Sequence, residues 1–232
     1  MATEISQNNL QRDYQTMTLD DIARDFNTDK VSGLHDFLRL YERRLGHLRN
    51  EPITLIEIGV LNGGSVRTWS KYFPNAKIVG LDISDECKQF EAGNISIRIG
   101  DATDLNFLFE VIREFGRPHV FIDDGSHRWD HQISTLKCAF PLLLEGGYYI
   151  MEDIDTSFAE HMQKAPFDGL SEISAMEYLY KLSRVVVGER ALLDEKPYDM
   201  FMEKWAGWIG SVELGRRTSV ISKKTAFGGG PT

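Results

Sequence analysis

The hydrophobic and polar positions of the chain follow two different periods. Between residues 18 and 48, the apolar residues recur at helical spacing and predict helices over 18–27 and 34–48. From residue 53 onwards, short runs rich in β-branched and aliphatic residues alternate with helical segments. The predicted strands are 53–60, 76–83, 95–102, 119–124 and 146–153, and the helices between them are 64–73, 105–116 and 129–144. This alternation predicts a parallel sheet covered by helices on both faces.

The last part of the chain has a different pattern. Residues 171–187 predict one more helix, and the predicted strands 208–214 and 218–224 are separated by a very short connection. Such a connection makes two strands antiparallel. We therefore expect an α/β protein with N-terminal helices and a Rossmann-like, seven-stranded, mostly parallel sheet that ends in an antiparallel C-terminal hairpin. The expected division is a flexible arm over 1–16, one domain over 17–225 and a flexible tail over 226–232.

Composition and charge narrow the functional classes. The 232 residues are 42% hydrophobic and 26% charged, and a net charge of −9 argues against a nucleic-acid partner. The two cysteines form neither a C-x-x-C pair nor a disulfide framework, which indicates free thiols. The first residues lack the apolar core of a signal peptide, and no run approaches the roughly 20 apolar residues of a membrane-spanning helix. We therefore expect a cytoplasmic protein without a membrane partner.

Acidic residues lie at the carboxyl ends of all five strands predicted to be parallel. They are Glu57, Asp82, Asp101, the pair Asp123 and Asp124, and the pair Glu152 and Asp153. In an open parallel sheet, ligands bind outside the carboxyl ends of the strands, near the point where the strand order reverses. Packing of the sheet does not require acids there. The pattern therefore predicts a ligand site along this edge.

A glycine-rich turn after the first strand favours an adenosine-containing cofactor. Gly59, Gly63 and Gly64 would let the backbone come close to a ligand at the start of the next helix. Asp82 follows about 20 residues beyond the turn, where an acid usually holds a ribose diol. The spacing is G-x-x-x-G-G rather than G-x-G-x-x-G, which argues against a dinucleotide. A purely structural turn is the alternative.

The acids after the fourth and fifth strands indicate a metal site. Asp124, Glu152 and Asp153 bring hard oxygen ligands from two neighbouring strand ends, and such a set suits Mg²⁺ or Mn²⁺. His127 follows directly and is a candidate base near neutral pH. The structural alternative is that these acids cap helices or pair with Arg128.

These motifs resemble those of class I S-adenosylmethionine-dependent methyltransferases, and more specifically the metal-dependent macrolide-sugar O-methyltransferases. The cofactor signature of the superfamily is similar to EIGVLNGGS (57–65), Asp82 and the pair GD (100–101). The more specific segments are FIDDGSHRWDH (121–131), LLLEGGYYIMEDID (142–155), and NTDK (27–30) with His35 and Tyr41. The resemblance covers roughly residues 20–224. The family's large additional N-terminal region lies outside it, so the family's assembly and macrolide acceptor are not carried over.

The resemblance implies a function and a role for each candidate residue. A member of this family would transfer the methyl group of S-adenosylmethionine to a hydroxyl of a sugar on a glycosylated natural product. Asp124, Glu152 and Asp153 would hold Mg²⁺, and His127 would be the general base. The residues implied in cofactor binding are Glu57, Gly59, Gly63, Ser65, Asp82, Asp101 and Asp123.

Several alternatives stay open at this point. A catechol or another non-sugar diol would also offer two chelating oxygens. Catechol enzymes commonly use a lysine base, however, and the sequence places no lysine beside the acid cluster. The alternatives of another class are an NAD-dependent oxidoreductase and a non-catalytic adenosine-binding module. We expect a small-molecule glycoside or diol as partner, and a homo-oligomer is left open.

The segment over 156–170 carries Pro166 and Gly169 and has no clear period. Because the predicted metal ligands lie just before it, we expect a lid that closes over cofactor and acceptor. Its side chains expected to contact the acceptor are Phe158, His161, Met162 and Phe167.

Overall fold

The structure is a computed structural model that describes residues 13–158, 167, 171–188 and 198–226. Its α-helices are α1 (Leu19–Arg24), α2 (Leu38–Leu45), α3 (Gly64–Tyr72), α4 (Leu105–Phe115), α5 (Trp129–Leu142), α6 (Ala175–Val186) and α7 (Met200–Trp205). Its strands are β1 (Thr54–Ile58), β2 (Lys77–Asp82), β3 (Ile95–Ile99), β4 (Val120–Asp123), β5 (Tyr148–Met151), β6 (Ile209–Leu214) and β7 (Ser219–Lys223). Short 3₁₀ helices lie at Tyr14–Thr16, Gly46–Leu48, Asp85–Phe90, Ile154–Ser157 and Ala206–Trp208.

The seven strands form one sheet in the order β3-β2-β1-β4-β5-β7-β6. The first five strands are parallel to their neighbours, whereas β7 runs antiparallel to both β5 and β6. The predicted α/β fold, with a mostly parallel sheet and a C-terminal antiparallel hairpin, is confirmed. Strand order reverses between β1 and β4, so a ligand crevice is expected above the carboxyl ends of these two strands.

The sheet is buried on both faces, which explains the uninterrupted apolar runs of its central strands. Every residue of β1 is buried. Ile56 packs into one core with Phe121, while its neighbour Leu55 packs into the opposite core with Ile122. Alternate residues of a strand point to opposite faces. Glu57 therefore shares the face of Leu55 and is buried against the side that carries the N-terminal helices.

The second helix begins later than its apolar pattern predicts. α2 starts at Leu38 rather than at residue 34, because Asp36 adopts a left-handed φ of 61° and interrupts the helix. Leu34, which the periodicity placed on the buried face, is exposed. The residues before α2 instead form a loop in which the N–H groups of His35 and Phe37 donate to the carbonyls of Asp29 and Lys30. This loop carries Lys30 into the protein interior.

The two cysteines are free thiols, as predicted. Within the described parts of the chain, no helix is long and apolar enough to cross a membrane. Most of the predicted arm, tail and lid lies outside the described residues: 1–12, 227–232, and 159–166 with 168–170, including His161 and Met162. The predictions for those segments stay predictions.

Candidate active site

The turn between β1 and α3 forms one wall of the crevice. Gly59 and Gly63 have φ values of 89° and 72°, in the left-handed region that favours glycine. A Cβ on Gly59 would lie 2.0 Å from the carbonyl oxygen of Asp124, and one on Gly63 would lie 2.6 Å from the ring of Phe90. These glycines are therefore required by the protein's own packing, whereas the sequence argument assigned them to a ligand. The contact at Gly59 brings the glycine turn against the acid-rich end of β4.

Asp82 ends β2 and holds the same turn in place. One carboxylate oxygen accepts hydrogen bonds from the N–H groups of Val60 at 2.8 Å and Leu61 at 3.3 Å, and the other accepts from Ser84 at 2.9 Å. Burial acts to raise the pKa of Asp82, but these backbone donors outweigh it and lower the pKa below its ordinary value. Asp82 is thus an ionised, half-buried group beside the turn, next to the exposed side chain of Leu61.

Glu57 and Ser65 meet beneath the turn. The Ser65 hydroxyl donates to Glu57 Oε2 at 2.7 Å, and the Trp69 indole N–H donates to the same oxygen at 3.1 Å. The other oxygen, Oε1, is buried without a hydrogen-bond donor among the described residues. Burial raises the pKa of Glu57 to about 7. Glu57 therefore supports the turn from the core.

The two remaining acids implied in cofactor binding differ in exposure. Asp101 is exposed at the end of β3, and hydrogen bonds from the Thr103 hydroxyl and N–H lower its pKa. Asp123 is buried, and its Oδ2 accepts a hydrogen bond from the Tyr149 hydroxyl at 2.9 Å. Burial raises the pKa of Asp123 to about 6. Asp101 is thus accessible to a ligand, whereas Asp123 lies in the core beneath the crevice.

Lys30 lies among three buried or half-buried acids, which together we call the inner cluster: Glu57, Asp124, Glu152 and Lys30. The ammonium of Lys30 is 2.5 Å from Asp124 Oδ2, 2.5 Å from Glu152 Oε2 and 3.7 Å from Glu57 Oε1. Burial alone would lower the pKa of Lys30, but the three carboxylates raise it well above its ordinary value. The three carboxylates therefore favour the charged form of Lys30 inside the protein.

Glu152 is fully engaged within the inner cluster. Its Oε1 accepts a hydrogen bond from the Tyr41 hydroxyl at 2.9 Å, while its Oε2 faces Lys30. Its backbone carbonyl accepts from the side-chain amide of Gln132 at 2.8 Å. Burial and the nearby Asp124 raise the pKa of Glu152 well above its ordinary value. The side chain is thus held by Lys30 and Tyr41, and the backbone of the same residue by Gln132.

Asp124 also belongs to a second group, the outer cluster of Asp124, His127 and Asp153. One potential ligand atom from each of these residues lies within 4.8 Å of the others. His127 Nε2 is 3.5 Å from Asp153 Oδ2, and 30% of the His127 side chain is exposed. Both His127 and Asp153 have left-handed backbones, with φ values of 57° and 50°. The outer cluster therefore opens towards solvent, unlike the inner one.

The structure divides the residues predicted to hold a metal. Asp124 belongs to both clusters, Glu152 to the inner cluster and Asp153 to the outer cluster. The expectation that no lysine flanks the acids is wrong, because Lys30 reaches Asp124 from 94 positions earlier in the sequence. The ammonium of Lys30 thus partly relieves the repulsion between Asp124 and Glu152.

The loop before α2 forms the second wall of the crevice. A cavity of about 130 Å³ lies between this loop and the glycine turn. It is lined by Asn27, Thr28, Asp29, Lys30, Gly59, Val60, Leu61, Asn62, Ser65 and Asp124. Sequence reasoning did not assign the loop to the site. The signal for it was the NTDK segment at 27–30, which carried part of the family resemblance but received no role.

The curated proteins that match the chain include O-methyltransferases. No family model matches the chain. The mycinamicin VI 2''-O-methyltransferase of Micromonospora griseorubida is 35% identical over 147 residues, which are 60% of this chain and 37% of that protein. The L-olivosyl-oleandolide 3-O-methyltransferase of Streptomyces antibioticus is 34% identical over 152 residues, which are 62% and 39% of the two chains. The chain thus spans less than half the length of these curated relatives.

A solved structure extends the similarity over most of the described fold. The MycE methyltransferase from the mycinamycin biosynthetic pathway, in complex with Mg, SAH and mycinamycin VI, matches with a TM-score of 0.77 and 25% identity. The match covers 94% of this chain and 58% of that chain. The chain thus has the Rossmann-like fold of a methyltransferase. More particularly, the chain is a homologue of sugar O-methyltransferases of the mycinamicin type, and the resemblance that its sequence indicated is confirmed.

Proposed function

We propose that the chain is a metal-dependent O-methyltransferase that transfers the methyl group of S-adenosylmethionine to a sugar hydroxyl of a glycosylated natural product. The observation that carries the proposal is the outer cluster, in which Asp124, His127 and Asp153 lie together beside the glycine turn. The similarity to the mycinamicin VI 2''-O-methyltransferase, and to the MycE methyltransferase solved with Mg and SAH, supports it. The proposed partner is therefore a small-molecule glycoside.

The walls of the crevice fit an adenosine-containing cofactor. Asp82 is an ionised acceptor at the end of β2, where an acid usually binds a ribose diol. Asp101 is accessible at the end of β3. Gly59 and Gly63 form the turn between the two sides. Among the other residues implied in cofactor binding, Glu57, Ser65 and Asp123 would act from beneath, because all three are buried. When bound, S-adenosylmethionine would supply an electrophilic methyl group.

The acids fit Mg²⁺ or Mn²⁺, because hard cations prefer carboxylate oxygens. We propose Asp124, Glu152 and Asp153 as the ligands. Asp124 and Asp153 already lie together, but both oxygens of Glu152 accept hydrogen bonds from Lys30 and Tyr41. Lys30 must therefore release Glu152 before that residue can join. When bound, the cation would make the acceptor hydroxyl more acidic and orient it.

His127 is the proposed general base, since its ring is partly exposed and lies next to Asp153. It would accept the hydroxyl proton as the acceptor oxygen forms a bond to the methyl carbon and the carbon–sulfur bond breaks. Alignment of oxygen, carbon and sulfur is needed for in-line displacement, so positioning by the strand ends contributes to the rate. Lys30 does not compete for this role, because its raised pKa keeps it protonated. The histidine base still favours a sugar hydroxyl over a catechol.

The proposal is tested by binding and by metal removal. S-adenosylmethionine and S-adenosylhomocysteine are each expected to raise the melting temperature, whereas NAD⁺ is not. At 100 times Kd, a ligand contributes about 2.7 kcal/mol to stability. EDTA is expected to abolish methyl transfer to a panel of macrolide and polyketide glycosides, and Mg²⁺ to restore it. Full activity after EDTA treatment, or stabilisation by NAD⁺ alone, would contradict the proposal.

The cofactor side of the site is tested at Asp82. Replacing Asp82 with Ala is expected to weaken S-adenosylhomocysteine binding by about 1.5–3 kcal/mol, the range for a hydrogen bond to a charged group. Calorimetry measures this change. The matched variant Asp82→Asn keeps the shape of the side chain and an oxygen that can accept hydrogen bonds from the glycine turn. It therefore distinguishes the effect of losing the charge from the effect of disrupting the turn. Unchanged affinity in both variants would remove Asp82 from the site.

A further inference from the structure

The connection between β6 and β7 reaches the outer cluster through Arg217. Its guanidinium Nη2 lies 2.6 Å from Asp153 Oδ1, and its Nε lies 2.9 Å from Asp155 Oδ2. The backbone carbonyl of Arg217 also accepts a hydrogen bond from the N–H of Ile154 at 3.0 Å. One residue of the hairpin is thus bound to three successive residues of the segment after β5.

The hairpin holds Arg217 in an otherwise unfavourable conformation. Arg217 has a φ of 58°, in the left-handed region that residues other than glycine seldom occupy. Such conformations persist where the surrounding structure fixes them. On one side, Thr218 donates to the carbonyl of Met151 at 3.0 Å and contacts the Tyr41 hydroxyl at 3.1 Å. On the other, Gly215 lies so close to Leu40 that an added Cβ would be 2.6 Å from its side chain.

Asp153 uses its two carboxylate oxygens for different partners. Oδ1 faces Arg217, while Oδ2 faces His127 Nε2 at 3.5 Å. An ion pair on one oxygen restricts rotation of the carboxylate, so it also sets the direction of the second oxygen. The backbone of Asp153 is itself left-handed, a conformation that persists where the surrounding structure fixes it.

We propose that Arg217 is a positioning residue that orients Asp153 towards the outer cluster. In this role it acts through its ion pair with Asp153. The inference rests on the proposed function, because it assumes that Asp153 is a metal ligand. Partners that orient a ligating carboxylate typically change metal affinity by 10- to 100-fold when they are replaced.

The test compares Arg217→Met and Arg217→Lys with the control Arg216→Met. Arg216 lies in the same turn but is exposed, so its replacement removes the same charge without touching the acids. Mn²⁺ binding is measured by the electron paramagnetic resonance signal of the free ion, with no acceptor present. We expect roughly 10- to 100-fold weaker binding for Arg217→Met, a smaller loss for Arg217→Lys and no change for the control. Binding of S-adenosylhomocysteine should be unchanged in all three.

A double-mutant cycle distinguishes positioning from a general structural role. In an Asp153→Asn background, Arg217→Met should have no further effect on Mn²⁺ affinity, because the group through which it acts is gone. Undiminished Mn²⁺ affinity in the folded Arg217→Met variant would overturn the inference. If that variant does not fold, wild-type affinity in Arg217→Lys would overturn it instead. Absence of Mn²⁺ binding by the unmodified chain would instead refute the proposed metal dependence. That result is distinguishable from undiminished Mn²⁺ affinity in an Arg217 variant.

Discussion

The inner and outer clusters share Asp124 but balance their charges in different ways. In the inner cluster, the acids surround Lys30, whose side chain is only 2% exposed. In the outer cluster, His127 and Asp124 are partly exposed, and the guanidinium of Arg217 contacts a single oxygen of Asp153. A buried charge is costly unless a partner compensates it, whereas a charge near solvent is less constrained. The protein therefore balances the charge of the inner cluster with its own lysine, whereas the outer cluster remains accessible to solvent.

The largest expected effect comes from removing the internal cation. Lys30→Met leaves three carboxylates facing one another without an opposite charge. Breaking a buried ion pair in this way costs about 3–5 kcal/mol. Urea unfolding near pH 7.5 measures the loss. The control Lys181→Met removes a surface pair with Glu177 and should cost less than about 1 kcal/mol. Equal losses in the two variants would show that the inner cluster does not depend on Lys30.

In the outer cluster, replacing the proposed base should affect the reaction rather than the fold. His127→Ala is expected to keep cofactor and metal but lose roughly 10²–10⁴ in turnover, the usual contribution of a general base. Its residual rate should rise with pH, because hydroxide partly replaces the missing base. The control is His131→Ala, since His131 bonds to Ser126 and stands outside both clusters. Wild-type turnover in His127→Ala would exclude it as the base.

A smaller effect is expected at Asp123, a buried acid that is bound to a tyrosine hydroxyl rather than to a cation. Burial raises its pKa to about 6. The unfolded value is about 3.9. The folded protein therefore binds the carboxyl proton of Asp123 more tightly than the unfolded chain does. The stabilisation that comes from this proton is fully present below about pH 4 and is lost as the pH rises through about 6.

Asp123→Asn removes that dependence. The variant should be more stable than the unmodified chain by about 1–3 kcal/mol near pH 7.5, since one pKa unit corresponds to about 1.4 kcal/mol. Urea unfolding at pH 4 and 7.5 measures the difference, which should shrink at the lower pH. The control Asp101→Asn should not stabilise the protein, because the pKa of Asp101 is lowered. If the Asp123→Asn variant has the same free energy of unfolding as the unmodified chain at pH 7.5, the charge of the Asp123 carboxylate is compensated in the folded protein.

The parts of the fold that depend on local pattern were predictable. The alternation of strands and helices predicted the parallel sheet. The N-terminus of α1 also follows local sequence, because the Thr18 hydroxyl oxygen accepts a hydrogen bond from the Asp21 N–H. The start of α2 was not predictable, because it depends on hydrogen bonds of the preceding loop. The sequence pattern did not predict α7 either. This helix has six residues, begins after Asp199 as its N-cap, and is too short to show a helical period of apolar residues.

The acids of the site were predictable from their place at strand ends, but their division was not. Glu152 and Asp153 follow the end of β5, where Asp153 turns the chain with a left-handed φ of 50°, and the two side chains belong to different clusters. Lys30 was missed because its partners Asp124 and Glu152 lie 94 and 122 positions away, beyond any local pattern. Only the tertiary fold brings them together.

The position of β7 has a consequence for how the site is assembled during synthesis. β7 is made after β6, yet it lies between β5 and β6 and pairs directly with β5. Until residues 217–223 have emerged from the ribosome, β5 has an unpaired edge and Asp153 has no Arg217 beside it. Nascent chains that stop short of this strand should therefore expose a sheet edge prone to association, and the site would become complete only once β7 has been synthesised.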